Sequence, residues 1–132
     1  MRIISDLPLN GLLYDLSKLS TTISIQIKSH KRIQQLLSDN YDLFDEGEYN
    51  SMYTKLLEAI KDFKIFRRAI YLLTQRMSKF NPFGNDYYVN YFKLIKNFND
   101  NKPKWFSINA EIKNVVLYRR RKFYALCQPR SS

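Results

Sequence analysis

The residues that could carry out catalysis in this chain are few and widely separated. His30 is the single histidine and Cys127 the single cysteine, so the two cannot complete a four-ligand zinc site. Glu58 and Asp62, at positions i and i+4, are typical of a fragment of a carboxylate-bridged metal site, but no Glu-x-x-His motif accompanies them. His30 interrupts an apolar stripe, which is typical of a core histidine whose hydrogen bonds are satisfied. The sequence therefore predicts no metal site and no cofactor.

One further pattern has the residue types of a hydrolytic enzyme. The spacing of Asp100, Glu111 and Lys113 is similar to that of the catalytic residues in PD-(D/E)xK nucleases. In those enzymes, carboxylates hold Mg²⁺ and the lysine steadies the nucleophile. A Glu-x-Lys triplet is common, however, and that fold needs a mixed sheet that the chain hardly provides. The three glycines are isolated, which excludes a P-loop and a dinucleotide-binding turn. We therefore expect a non-enzymatic protein, with a metal-dependent nuclease as the weaker alternative.

Charge is the strongest signal in the composition. The chain of 132 residues fits a single domain, 1–132, and carries a net charge of +10. Residues 1–62 carry 7 basic and 9 acidic side chains, a balance of −2, whereas residues 63–132 carry 15 and 3, a balance of +12. Such a field attracts polyanions over about a Debye length. The second half is therefore expected to bind DNA or RNA, without sequence preference, or an acidic protein surface.

Two long amphipathic helices are predicted before the middle of the chain. Apolar side chains recur every three or four residues over about 8–38 and again over about 46–80. Asp6 or Asn10 can cap the first helix, and the polar pair at 39–40 can end it. Because the connection is short, the two helices are expected to pack as an antiparallel hairpin.

A cluster of acids lies in that connection. Asp45, Glu46 and Glu48 stand where the second helix is predicted to begin. Negative charge at a helix N-terminus stabilises the helix by about 0.3–1 kcal/mol for each residue, because it opposes the helix dipole. The position of the cluster therefore favours a capping role over a catalytic one.

The C-terminal third is less clear in its pattern. Asp86 can cap a shorter third helix, which Pro103 and its polar neighbours are predicted to end in a loop. The segment 105–126 is favoured as a fourth helix capped by Ser107, and a β-hairpin is the alternative. The fold class is thus an all-α antiparallel bundle with one or two shorter C-terminal helices, or α+β if the hairpin forms. The tail, 128–132, is expected to be flexible.

The cations of the second helix are predicted to form a ridge. On a helix, four of them lie within about 60° of one another and extend over roughly 27 Å, far enough to follow a phosphate backbone. These are Lys61, Lys64, Arg68 and Lys79. Further charge and a stacking surface are expected from Lys93, Lys96, Lys102, Lys104 and Trp105.

Four consecutive cations near the end of the chain do not form one patch on a helix. At 100° per residue, Arg119 falls within the apolar stripe of Ile112, Arg120 and Lys122 flank it, and Arg121 points away. An unpaired guanidinium within an apolar stripe is costly, so Arg119 needs an acid or an opening to solvent. The quartet is nevertheless a candidate contact for nucleic acid or for a protein partner.

The leading hypothesis is a small basic accessory protein that binds nucleic acid through the second helix and the basic C-terminal third. The alternative is a protein-interaction module docking on an acidic partner, such as an adaptor, an inhibitor of a host enzyme or a virion subunit. Abundant Lys, Asn, Ile, Tyr and Phe are typical of AT-rich genomes and indicate a viral, phage or low-GC source. No stretch approaches the roughly 18 apolar residues of a membrane span. We therefore expect a cytoplasmic location, or a virion, without a membrane partner; oligomeric state is not predicted.

Overall fold

Three helices form the structure, a computed structural model that describes residues 2–79 and 86–127, with side chains placed for 10–77, 79 and 88–127. They are α1 (Arg2–Asp39), α2 (Glu46–Ser78) and α3 (Asp86–Cys127), and a short 3-10 turn (Tyr41–Leu43) joins the first two. The described residues contain no strand, so the all-α prediction is confirmed and the β-hairpin alternative at 105–126 is wrong. None of these helices combines the length and the apolar character that crossing a membrane requires.

The helical hairpin forms as its apolar periodicity predicts, with one difference at its start. Helix α1 begins at Arg2, before both proposed caps, Asp6 and Asn10. Helix α2 begins with a capping box, in which the Glu48 N–H donates to Asp45 Oδ1 over 2.7 Å and the Asp45 N–H donates to Glu48 Oε1 over 3.3 Å. The capping role of the acidic cluster is therefore confirmed.

Helix α3 is continuous where a loop was predicted. Pro103 lies inside it, and Ser107 is an interior position rather than a cap. An interior proline removes one backbone hydrogen bond and typically costs about 3 kcal/mol. The side chain that follows two residues later, Trp105, is only 1% exposed, and burying a side chain of this size recovers an energy of the same order. Tertiary packing thus outweighs the local rule, and the shorter C-terminal helices are one helix.

The core runs along the whole hairpin in two clusters, both of which include residues of all three helices. Around Trp105 the ring centroids of Phe63, Phe66 and Phe98 lie at 4.6, 5.8 and 5.8 Å. The buried members of this cluster are Leu16, Ile23, Ile27, Ala59, Ile60, Phe63, Ile70, Leu73, Met77, Tyr91, Phe98 and Trp105. Those of the second, nearer the 3-10 turn, are Ile33, Leu37, Phe44, Leu56, Ile112 and Val116.

His30 joins α1 to α3 inside the core. It is fully buried, its ring meets Phe63 edge-on at 5.0 Å, and its Nε2 lies 3.1 Å from the Trp105 carbonyl oxygen. Its Nδ1 lies 2.8 Å from the carbonyl oxygen of Gln26. The prediction of a core histidine is confirmed; both of its partners are carbonyl oxygens, so the neutral ring, which has one N–H, donates to one of them.

The last two turns of α3 extend beyond the hairpin. Arg119 donates to the Leu43 carbonyl oxygen over 3.0 Å, which places it level with the 3-10 turn. Beyond this point α3 has little of the hairpin to pack on, so Phe123 and Leu126 are exposed, Leu126 by 85%. The tail, 128–132, and the turn that precedes α3 lie outside the described residues.

We expect Trp105→Ala to lower the free energy of unfolding by about 3–5 kcal/mol, because it empties the centre of the aromatic cluster. The matched control is Phe106→Ala, since Phe106 is the next residue but is 37% exposed. Urea unfolding followed by circular dichroism measures both variants. A loss for Phe106→Ala equal to that for Trp105→Ala would contradict the packing described above.

Candidate partner-binding surface

The predicted cationic ridge lies on the outer face of α2. All four of its members, Lys61, Lys64, Arg68 and Lys79, are exposed. Where side chains are described, the ion pairs are Lys96–Asp100 and Arg119–Glu48, so the ridge cations are free of carboxylate partners in that part of the chain. The ridge is therefore available to an external anion.

An apolar groove lies beside the cations of the ridge. A groove of about 510 Å³ lies along α2, lined by Leu57, Ile60, Lys61, Lys64, Ile65 and Arg68. Leu57 is 48% exposed and Ile65 is 59% exposed, so two large aliphatic side chains face solvent between the cations. The groove thus combines an apolar base with a basic rim.

Apolar and basic residues alternate along this face. Leu57, Lys61, Ile65, Arg68 and Leu72 follow one another at steps of four, four, three and four residues, which keeps them on one side of a helix. Leu72 is itself 47% exposed. Sequence reasoning identified the cations but missed the apolar members, although their spacing among the cations was readable.

Helix α1 adds charge to the same side of the hairpin. Arg67 donates to Ser24 Oγ over 3.3 Å, which fixes the level at which the two antiparallel helices face each other. Lys28 and Lys31 follow Ser24 by four and seven residues, so they lie on the same side of α1 as Ser24, and both are exposed. The antiparallel arrangement places them level with Lys64 and the start of the groove. Sequence reasoning missed both lysines because single-helix patterns do not show which helix faces join.

The cations of the first half of α3 do not join the ridge. Helix α3 packs on the Phe63 and Phe66 side of α2, and Phe66 is about 200° around the helix from Lys64. Lys96 pairs with Asp100 at 3.6 Å, with both side chains largely exposed, and such surface pairs contribute little. The remaining members of this group are the exposed residues Lys93, Lys102 and Lys104, of which Lys102 lies 5.5 Å from the centroid of the Phe106 ring.

Trp105 offers no stacking surface. It is 1% exposed, its ring is enclosed by the aromatic cluster, and its indole N–H makes a long contact of 3.5 Å with Asp62 Oδ2. The expectation that Trp105 stacks on a base is therefore wrong. The polar and basic residues around Trp105 favoured an exposed loop at Pro103. Because the helix continues through Pro103 instead, Trp105 occupies a core position.

Arg119 clamps α3 to the start of α2. Its Nη2 donates to Glu48 Oε2 over 2.6 Å and its Nη1 to Glu48 Oε1 over 3.3 Å, while the guanidinium carbon lies 5.1 Å from the centroid of the Phe44 ring. The predicted requirement for an acid is confirmed. Hydrogen bonds from Arg119 and from the Asp45 N–H lower the pKa of Glu48, and the hydrogen bond to Glu48 raises the pKa of Arg119. An external ligand of Arg119 would have to compete with Glu48.

The three cations after Arg119 point in different directions, as helical geometry predicts. Arg120 is half-buried, lines a cleft with Asp39 and Asp42, and lies 5.9 Å from the centroid of the Tyr124 ring. Arg121 is exposed, as is Lys122, which lies 5.0 Å from the centroid of the Tyr118 ring. A hydrogen bond with Lys122 and the surrounding positive charge lower the pKa of Tyr118. The quartet is a set of separate contacts, and its role in binding stays a prediction.

The nuclease-like residues do not form a site. Asp100 and Glu111 lie on α3 eleven residues apart, which separates them by roughly 16 Å along the helix axis. That distance is too long for two carboxylates to share one metal ion. Among the described residues, no three His, Cys, Asp or Glu side chains are grouped as a metal site requires.

We expect Glu48→Gln to lower the melting temperature at neutral pH, because it removes the charge that Arg119 holds while glutamine keeps the capping box. The ordinary pKa of this carboxyl is 4.5 and the folded value is lower, so the stabilisation is complete above 4.5 and is lost as the pH falls through the folded value. The difference from wild type should therefore shrink as the pH falls below 4.5.

The matched control for this prediction is Glu46→Gln, which removes an acid from the same first turn but no described ion pair. Thermal unfolding across pH measures both variants. A deficit for Glu48→Gln that stays constant from neutral to acid pH, or an equal deficit for Glu46→Gln, would contradict the assigned role of the ion pair.

Comparison of the chain with known proteins finds no matching family model, no similar curated protein and no similar solved structure.

Proposed function

We propose that this chain is a non-enzymatic protein-interaction module that docks on an acidic protein partner through the outer face of α2. The observation that carries the proposal is the groove itself, in which Lys61, Lys64 and Arg68 lie beside exposed Leu57 and Ile65. A face that carried cations alone would be an ordinary solvated basic surface. The apolar base calls for a partner that brings apolar surface together with its carboxylates.

Protein partners meet that requirement better than nucleic acid does. Protein interfaces bury an apolar centre and surround it with a polar rim, as this groove is arranged. A nucleic-acid backbone presents phosphates and sugars, which gain little from exposed aliphatic side chains, and its bases gain most from aromatic platforms. Such a platform was expected from Trp105, which is buried, and the exposed aromatic residue nearest the ridge on α2 is the single ring of Tyr71, 55% exposed.

Nucleic-acid binding is the second candidate, and a separate observation favours it. The unpaired ridge of α2 is extended across the hairpin by Lys28 and Lys31, so cations of two helices face one side of the molecule. Such a surface can neutralise several phosphates without reading sequence. Lys93, Lys102 and Lys104 stay exposed and could add charge from other faces.

We expect the double variant Lys64→Glu/Arg68→Glu to weaken binding to a fluorescently labelled acidic polypeptide by at least about tenfold, because two attractive contacts become repulsive. The matched control, Lys102→Glu/Lys113→Glu, changes the net charge equally on the side of α3 that faces α1. Lys113 lines a groove there with Gln26 and Ser29. Fluorescence anisotropy measures the affinities. Equal losses in the two double variants would show that net charge, not the ridge, drives binding.

Filter binding to duplex DNA and to RNA across a range of salt concentrations tests the second candidate. If Lys64 and Arg68 contact phosphates, reversing both should reduce the slope of log affinity against log salt by about two, since each contact contributes about 0.9. Absence of affinity at low salt, or a slope that the reversal leaves unchanged, would remove nucleic acid as the partner of this face.

A further inference from the structure

We infer that the partner element that fits the α2 groove is an acidic amphipathic α-helix lying along α2. This inference rests on the proposed function and names the chemistry and the secondary structure of the segment that docks. Three observations carry it: the alternation of apolar and basic residues along α2, the apolar base of the groove, and the lack of described carboxylate partners for its cations.

The spacing of the face matches helix-on-helix packing. Leu57, Lys61, Ile65, Arg68 and Leu72 recur at the steps of three and four that form one seam of a helix, over roughly 22 Å. A second helix has the same rise and the same residues per turn, so its side chains can meet every position of this seam in register. An extended segment rises about 3.3 Å per residue and would lose register within two turns.

Backbone hydrogen bonding also favours a helix. The apolar base formed by Leu57, Ile60 and Ile65 offers no acceptor or donor, and the α2 backbone is already hydrogen-bonded within its own helix. An extended peptide laid on this surface would leave its own N–H and C=O groups unpaired on the side that it buries. A helix satisfies these groups internally and presents only side chains.

Charge complementarity specifies the side chains of that helix. The cations at Lys61, Lys64 and Arg68 stand between the exposed aliphatic residues, so the partner must place Asp or Glu between its own apolar residues. No acidic residue occurs in α2 after Asp62, so this part of α2 supplies no internal competitor for the cations. The partner helix therefore alternates apolar and acidic residues along one face, as the complement of α2.

The test uses the full chain and two synthetic peptides of identical composition. In the phased peptide, leucine and glutamate alternate along one helical face at the steps of the α2 seam; in the shuffled peptide, they are distributed evenly around the helix. Isothermal titration calorimetry at physiological salt should show at least about tenfold tighter binding of the phased peptide. A direct complex of this size is expected in the micromolar range, because one helix face forms a small interface.

Single substitutions separate this inference from a general attraction of charges. Ile65→Ser and Leu57→Ser should each weaken the phased peptide by about tenfold, whereas Val89→Ser, at an apolar position of α3 that is 52% exposed, should not. Because all three side chains are exposed, folding is expected to persist, and circular dichroism checks it.

Several outcomes would overturn the inference. Equal affinities for the two peptides, or insensitivity to both serine substitutions in the groove, would exclude a phased helix. If the two peptides bind wild type equally and Lys64→Glu/Arg68→Glu abolishes the binding of both, docking on acidic protein survives while the helix fails. If that double variant binds both peptides as wild type does, the proposed function fails as well. Displacement of the phased peptide by an equal concentration of a short DNA duplex would assign the groove to nucleic acid instead.

Discussion

The burial of Trp105 is the constraint on which the rest of the molecule depends. Its ring fills the space between Phe63, Phe66 and Phe98, and its carbonyl oxygen meets the ring of the fully buried His30. This position can be reached only if α3 remains helical through Pro103, because Trp105 follows the proline by two residues. The proline costs about 3 kcal/mol and emptying the site of a large buried aromatic costs about 3–5 kcal/mol, so packing prevails.

Once the inner face of α2 is committed to this core, the character of its outer face follows. Phe63 and Phe66 turn towards the core, and Lys61, Lys64 and Arg68 remain outside beside Leu57 and Ile65. A solvated helix face has no need of half-exposed aliphatic side chains, which gain nothing from water. Their alternation with unpaired cations along one seam of α2 is the feature on which the proposed docking surface rests.

Periodicity was sufficient to predict the hairpin, the acidic cap and the inward position of Arg119, because each depends on contacts that the 3.6-residue repeat determines. It failed at Pro103 and Trp105, where a local rule about proline competes with packing against residues more than thirty positions away. It also missed Lys28 and Lys31, since the registration of α1 on α2 decides which faces join. It also missed Leu57 and Ile65, which lie off the core stripe and are spaced among the cations.

The acids that cap α2 have an effect on the electrostatic field of the molecule as well as on its folding. Glu48 neutralises Arg119, and Asp39 and Asp42 lie with Arg120 in one cleft, so opposite charges meet at the turn end of the bundle. The positive charge that has no described ion-pair partner therefore lies along the outer face of α2 and on exposed cations of α3 such as Lys113 and Arg121. An oppositely charged partner would be oriented by such a field before contact, so added salt would slow its association more than it would speed its dissociation.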